Sequence, residues 1–175
     1  MSKSVEIITK AVERDRTIVV GSAISGCTDT LIKIGNLAAA KDESYKTLIG
    51  ELQEKHHKII SEMLPAEKQK ESIQVCDNTF EYLKGIAQGV CLLGELSSTS
   101  LDAIQGSGEL LSTKILATKL ASVGISTLWV DSREIIKTHL ERGKNVVDKE
   151  TTYANVEKMI ESNPIKTLFV VPGFI

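Results

Sequence analysis

A short uncharged strand that passes through small residues into an amphipathic helix constrains the fold of this chain more than any other feature. Residues 17–20 (TIVV) favour a β-strand, and their lack of charge suits a strand covered on both faces in a parallel sheet. A loop of small residues follows at 21–26 (GSAISG), and apolar side chains then recur at helical spacing, with Thr28 as the expected N-cap. Many α/β proteins bind an anion at such a junction.

The same alternation of strand and helix continues to the end of the chain. Further strands are predicted at 126–130 and 165–171, and helices at 107–124 and 151–162, the last capped by Thr151. The intervening residues 133–140 are expected to be irregular or helical. This alternation predicts an α/β fold with right-handed βαβ units around a mostly parallel sheet.

Two long helical segments interrupt the alternation. Helical periodicity covers residues 44–64 and 66–93, and Pro65 marks the break between them. This is more helix than one crossover connection needs, so we expect a helical insertion at about 44–94, carried by the sheet. The 175 residues, 42% of them hydrophobic, suit one domain, 1–175.

Composition excludes several classes of function. The 21 basic and 23 acidic residues give a net charge of −2 without a long block of one sign, so no nucleic-acid partner is expected. No apolar run reaches the ~18 residues of a membrane span. The three cysteines are odd in number and lack Cys-x-x-Cys spacing, which predicts free thiols and a cytoplasmic location.

Histidine and serine clusters are weak candidates for chemistry. His56 and His57 are adjacent on a predicted helix and point about 100° apart, so they cannot chelate one metal well, and we expect both to be solvated. Residues 97–100 (SSTS) are typical of a loop and helix cap. No metal site and no serine-hydrolase centre are predicted.

Ligand contacts are expected where the strands end, because ligands of parallel α/β sheets bind beyond the carboxyl ends of the strands. Ser22, Asp131 and Phe174 each follow a predicted strand. Asp131 is expected to be a structural cap rather than a ligand. Glu109 falls in the first turn of a predicted helix, where the helix dipole alone would favour a carboxylate.

The loop after the first strand leaves three interpretations open from its own residues. Its Gly21-x4-Gly26 spacing is that of a Walker A loop, but Cys27 stands where that loop has the lysine that reaches the phosphates. The alternatives are an ordinary tight turn between strand and helix, and a loop that binds another anionic substrate.

Four segments together resemble one known family. Residues 21–31 (GSAISGCTDTL) and 106–113 (GSGELLST) are similar to the two substrate-binding signatures of the aspartate kinases. They are followed by a Trp-Val-Asp sequence at 129–131 and by residues 171–175 (VPGFI), also as in that family. The four segments span nearly the whole chain in the family's order.

The resemblance implies a fold and an activity. The fold would be that of the amino acid kinases, a carbamate-kinase-like three-layer αβα sandwich. The activity would be transfer of the γ-phosphoryl group of ATP, with Mg²⁺, to the side-chain carboxylate of L-aspartate, the first step towards lysine, threonine and methionine. L-Aspartate and ATP would be the small-molecule partners, and a homo-oligomer is expected.

The resemblance also assigns residues. Ser22, Ala23, Thr28, Glu109 and Phe174 would bind substrate. Glu109 would receive the α-ammonium group, and hydroxyl and backbone N–H donors would hold the carboxylates. No residue of this chain matches a catalytic residue of the family.

We further expect the chain to be an incomplete domain, cut at both ends. Family members have a Lys-Phe-Gly-Gly strand before the segment that begins here at Met1, and a nucleotide-binding half after the position of Ile175. A single-function parent and a fusion to homoserine dehydrogenase are both compatible with this resemblance. The alternatives are a kinase for another acidic amino acid, such as glutamate, and a non-catalytic α/β binding or assembly module.

Overall fold

A computed structural model describes residues 2–174, so Met1 and Ile175, at the two expected points of truncation, lie outside it. Seven helices and five strands are present within this range. In chain order they are α1 (Ser2–Val12), β1 (Thr17–Gly21), α2 (Cys27–Ala39), α3 (Ser44–Met63), α4 (Ala66–Leu93), α5 (Ser98–Ser122), β2 (Thr127–Trp129), α6 (Ser132–Ile135), β3 (Thr138–Glu141), β4 (Lys144–Val147), α7 (Lys149–Glu161) and β5 (Leu168–Pro172).

The predicted parallel sheet is present and has three strands in the order β1-β5-β2. Gly21 pairs with Pro172 at one end of β5, and Trp129 pairs with Val170 on its other side. Because all three strands are parallel, their carboxyl ends meet at one edge of the sheet. The loops that follow β1, β2 and β5 therefore begin close together.

Only one face of the edge strand β1 is well covered. Helices α1 and α5 pack over the sheet, where Ile8, Leu120 and Val170 belong to a small apolar core. On the other face of β1, Ile18 and Val20 are 46% and 67% exposed. The expectation that this strand is covered on both faces is therefore wrong, because β1 lies at the sheet edge and its outward side chains face solvent.

A larger core lies among the helices. Helices α3 and α4 lie where the sequence predicts helix, and they pack with α2 and with α5. The buried side chains at the centre of this bundle are large and apolar: Leu31, Ile60, Phe80, Leu83 and Ile104. Within residues 2–174, none of the helices is both long enough and apolar enough to cross a membrane.

Helix α5 starts nine residues before the earliest predicted position. Ser97 caps it, since its hydroxyl accepts the N–H of Ser100 at 3.1 Å. The glycines at 106 and 108 both lie inside the helix, and the packing requires the second of them, because a Cβ on Gly108 would stand 2.9 Å from Cys27 Sγ. Glu109 therefore lies within the helix rather than in its first turn, so the dipole does not explain it.

The segment 133–140, expected to be irregular or helical, is helical at its start, where α6 lies, but its last residues belong to β3, which forms an unpredicted hairpin with β4. Its two-residue turn consists of Arg142 and Gly143, with φ of 50° and 77°. Positive φ at both central residues is the hairpin type that matches strand twist. Arginine is an uncommon first residue for such a turn, so the sequence carries no strong hairpin signal.

Three further local expectations are corrected. The N-cap of α2 is Gly26, in a left-handed conformation, and not Thr28. The N-cap of α7 is Asp148, whose carboxylate accepts the N–H and the hydroxyl of Thr151. His56 is fully buried rather than solvated, with Nδ1 2.7 Å from the Leu52 carbonyl oxygen. Cys27, Cys76 and Cys91 are free thiols, as predicted.

Candidate amino-acid-binding site

One turn of α5 contacts the loops that follow β1 and β5. The Ser112 hydroxyl donates to the carbonyl oxygen of Ser22 at 2.7 Å. On the same turn, Oε2 of Glu109 accepts the backbone N–H of Phe174 at 2.5 Å. Residues three apart on a helix lie on neighbouring positions of one face, so a single rigid element sets the distance between the two loops.

Thr113, the next residue of this turn, contacts two strands of the sheet, β2 and β1. Thr113 Oγ1 donates to the Glu109 carbonyl oxygen at 2.6 Å and accepts the indole N–H of Trp129 at 2.9 Å. Its methyl group packs on β1, and a Cβ on Gly21 would stand only 2.7 Å from that methyl. Glycine at position 21 thus permits the close approach of β1 to α5.

The loop between β1 and α2 is anchored at both ends. Ser112 holds the Ser22 carbonyl, and Lys55 from α3 donates to the Ser25 carbonyl oxygen at 2.8 Å. Ser22 and Thr28 are exposed, and Ala23 is half-buried. Two residues with hydroxyl groups, one in the loop and one in the first turn of a thirteen-residue helix, are therefore accessible, and hydroxyl groups and a helix N-terminus suit a carboxylate or phosphate group.

Cys27 does not take part in this surface. Its side chain is completely buried against Gly108 and Leu31, and burial raises the pKa of the thiol to about 11, although nearby Lys55 opposes the shift. The position that a Walker A loop reserves for its phosphate-binding lysine thus points into the core. The Walker A interpretation is wrong for this reason.

Phe174 completes the contacts of α5 with the end of β5. Its ring lies against the backbone of Gly106, where an added Cβ would be 3.4 Å from Cδ1. The preceding Gly173 donates to the Gly21 carbonyl oxygen at 3.0 Å. Phe174 is half-buried.

A cleft of about 630 Å³ opens beside the loop. Ser22, Ala23, Ser112 and Thr113 line it, together with residues of α1 and α3. Among its described lining residues the one charged side chain is Glu62, and none is lysine or arginine. The cleft can hold a molecule larger than an amino acid, but these lining residues offer no positive side chain to a polyphosphate.

The five predicted substrate-binding residues thus occupy three adjoining places. Ser22 and Ala23 line the cleft, Thr28 lies in the first turn of α2, and Glu109 is paired with Phe174. Their binding roles stay predictions. Glu109 also has a structural task that the sequence did not reveal, since one of its oxygens fixes the backbone after β5.

Asp131 is a helix cap, as expected. Its Oδ1 accepts the backbone N–H of Arg133 at 3.1 Å, and its two oxygens bind the Arg133 guanidinium. These hydrogen bonds from Arg133 hold the pKa of the Asp131 carboxyl below its usual range, although partial burial opposes them. The carboxylate is fully used within the fold.

Metal ligands are not grouped at this site. Between residues 2 and 174, no three histidine, cysteine, aspartate or glutamate side chains lie close enough together to hold a metal ion. Mg²⁺ in nucleotide-dependent enzymes is commonly held by one or two carboxylates together with the substrate phosphates. The described residues therefore do not form a metal site of their own.

Sequence reasoning missed the residues that position this site: Ser112, Thr113, Trp129 and Lys55. The first two lie inside the GSGELLST segment, but only their partners in space reveal their roles. Lys55 lies in the helical region, thirty residues from the carbonyl that it contacts. Nothing in the local pattern marks it.

Comparison with known proteins defines the class. The profile of the amino acid kinase family matches residues 1–175, and the chain belongs to that family. It is 27% identical over 163 residues to the chloroplastic bifunctional aspartokinase/homoserine dehydrogenase 1 of Zea mays, covering 92% of this chain and 18% of the relative. The Arabidopsis thaliana enzyme of the same name is 25% identical over 175 residues, or 99% and 19% of the two chains.

Shorter relatives and solved structures agree. The aspartokinase of Candida albicans is 25% identical over 130 residues, covering 71% of this chain and 24% of the relative. The fold matches Escherichia coli aspartokinase III in complex with aspartate and ADP, with a TM-score of 0.82 at 19% identity over 99% of this chain and 37% of that one. Its complex with lysine and aspartate matches equally well, at 0.82 and 18% identity. The chain thus spans about a fifth of the bifunctional relatives' length.

Proposed function

We propose that this chain forms the amino-acid-binding part of an aspartate kinase, an enzyme that transfers the γ-phosphoryl group of ATP to the β-carboxylate of L-aspartate. One observation carries the proposal: a single turn of α5 joins the loop after β1 to the loop after β5, with Glu109 between them. The similarity of the chain to aspartokinases supports the choice of substrate.

The groups at the site complement an amino acid with an acidic side chain. Oε2 of Glu109 accepts the Phe174 amide, and a carboxylate has further lone pairs that can accept an ammonium group. The Ser22 and Thr28 hydroxyls and the start of α2 offer donors and a positive dipole end to carboxylates. An ammonium acceptor beside carboxylate donors selects an amino acid over a plain dicarboxylate.

The proposed contribution of these residues to catalysis is positioning. The β-carboxylate would attack the γ-phosphorus in line as the bond to the bridging oxygen breaks and ADP leaves, without a covalent enzyme intermediate, so the rate would depend on alignment and on neutralisation of charge. This chain would bind and orient L-aspartate. Part of the charge neutralisation would come from Mg²⁺ bound to ATP.

Binding selectivity tests the proposal. Isothermal titration calorimetry of the 175-residue chain should show binding of L-aspartate, and weaker binding of succinate, which has both carboxylates but no ammonium group. L-Glutamate tests the length of the side chain. Equal affinities for L-aspartate and succinate would argue against a site that reads the ammonium group.

Phosphoryl transfer by these residues alone is not expected, because the described residues that line the cleft include no basic side chain. ADP release with L-aspartate, ATP and Mg²⁺ measures it. Turnover within about tenfold of the ~10 s⁻¹ typical of enzymes would mean that these residues complete a catalytic centre.

A further inference from the structure

We infer that Ser112 is a positioning residue that fixes the peptide unit between Ser22 and Ala23 for binding a carboxylate of the substrate. The inference deepens the proposed aspartate site and rests on it. Ser112 does not touch the substrate: it acts through the backbone of the loop.

The hydroxyl of Ser112 is committed to this loop. The residue is 2% exposed, and its Oγ lies 2.7 Å from the Ser22 carbonyl oxygen and 3.2 Å from the carbonyl oxygen of Glu109 in its own helix. A buried serine within a helix can give its single proton to a carbonyl three or four residues earlier. Here the shorter contact crosses to a residue 90 positions away.

Fixing one carbonyl oxygen fixes the next amide. The peptide unit is planar and trans, so the N–H of Ala23 points away from the Ser22 carbonyl oxygen. Since Ser112 holds that oxygen towards α5, the Ala23 N–H is directed away from α5. Among the backbone hydrogen bonds between residues 2 and 174 outside regular helices and strands, none uses the Ala23 N–H as donor.

This geometry makes the backbone N–H of Ala23 a hydrogen-bond donor for the ligand, a role that its methyl side chain cannot have. A backbone N–H held in one direction is a strong donor to a carboxylate, because its orientation is already set before the ligand arrives. The Ser22 hydroxyl lies on the same peptide segment. Ser112 therefore prepares a carboxylate-binding segment, and Glu109, one turn earlier on the same helix, provides the acceptor for the ammonium group.

Ser107 provides a matched control on the same helix. It is 3% exposed, close to the value for Ser112, but its hydroxyl donates to the Ala103 carbonyl oxygen of its own helix at 3.0 Å. Ser107→Ala and Ser112→Ala therefore remove the same atom from equally buried positions. Only the second removes a contact with the loop.

The test measures ligand binding and loop order in the 175-residue chain. Ser112→Ala should raise the dissociation constants of L-aspartate and succinate together, by about three- to tenfold, because both ligands use the carboxylate donors. The ratio between the two ligands should stay as in the wild type. Backbone ¹⁵N order parameters of residues 22–26 should fall in Ser112→Ala.

The controls separate positioning from general stability. Ser107→Ala should leave both dissociation constants and the order parameters unchanged, and Ser112→Thr, which keeps the hydroxyl, should restore them at least in part. Wild-type affinities and order parameters in a folded Ser112→Ala protein would overturn the inference.

A different result would reject the proposed function. If the wild-type chain binds neither L-aspartate nor succinate, the aspartate site is wrong. The order parameters then still decide the role of Ser112: a drop in Ser112→Ala alone supports it, and no difference from Ser107→Ala overturns it.

Discussion

The helical region and the sheet region of this molecule are stabilised very differently. Helices α2, α3 and α4 with the first part of α5 enclose a continuous core of large apolar side chains, whereas the sheet shares a small core with α1 and the end of α5. The edge strand β1 even leaves Ile18 and Val20 exposed. The candidate site lies between the two regions, and α5, which belongs to both, fixes it. The helical region thus supports the site through the packing of α5.

The largest expected effect is a loss of stability, and it compares how well the two cores are packed. Ile60 in the helical core is fully buried, and Ile8 in the sheet core is 7% exposed. Ile60→Ala should lower the free energy of unfolding by roughly 3–5 kcal/mol, and Ile8→Ala by about 2 kcal/mol, because a denser surrounding leaves a larger cavity. Urea unfolding followed by circular dichroism gives both values. Equal losses would show that the two cores are equally well packed.

The next largest effect is expected on ligand binding, when the charge of Glu109 is removed at the candidate site between the two regions. Glu109→Gln keeps an oxygen that can accept the Phe174 N–H but removes the negative charge. We expect L-aspartate binding to weaken by about ten- to a hundredfold and succinate binding to change little, since a charge-assisted contact contributes roughly 1.5–3 kcal/mol. Thr28→Val should weaken the binding of both ligands, by a smaller factor than Glu109→Gln weakens the binding of L-aspartate. Calorimetric titration checks each pair, and unchanged affinities would return Glu109 to a purely structural role.

The pH dependence of the free energy of unfolding tests whether His56 is excluded from water in the helical core. Burial lowers the pKa of His56, and its Nε2 has no hydrogen-bond partner within residues 2–174. The unfolded chain therefore binds a proton below a pH of about 6.5 before the folded chain does. The folded state should therefore incur no penalty from His56 above that pH, and the free energy of unfolding should fall as the pH decreases below it.

Denaturant unfolding from pH 7.5 to pH 5 measures this loss. His56→Leu should remove most of the pH dependence, because leucine has no proton to gain. His57→Gln is the control, since His57 is partly exposed and pairs with Asp77 at 2.7 Å. A wild-type slope that survives in His56→Leu would place its origin in another group.

The smallest effect on stability is expected at the exposed face of the sheet. Ile18→Thr should change the free energy of unfolding by less than about 0.5 kcal/mol, because the side chain is already half exposed. β1 pairs only with β5 among the described strands, so its other edge has free N–H and C=O groups. We therefore expect self-association of the chain, reduced by Ile18→Thr. Light scattering over a concentration series measures self-association, and a wild-type chain that stayed monomeric throughout would contradict the expectation.

Elements with strong local signals were predictable. The β-branched run at the start of β1 and the helical periodicity on both sides of Pro65 predict structures that the fold contains. The start of α5 was not predictable, because glycine is costly in a helix and the reason for Gly108 is its contact with Cys27. The hairpin turn at Arg142 was missed for a similar reason, since its conformation is unusual for that residue.

The sequence by itself determined the class of fold and the segments that form the candidate site, because hydrophobic periodicity and short motifs depend only on neighbours along the chain. The tertiary structure alone decided which groups meet. The contacts of Ser112 with Ser22 and of Glu109 with Phe174 join residues 90 and 65 positions apart. Such contacts depend on how α5 packs across the carboxyl ends of the parallel strands, and no local pattern records that packing.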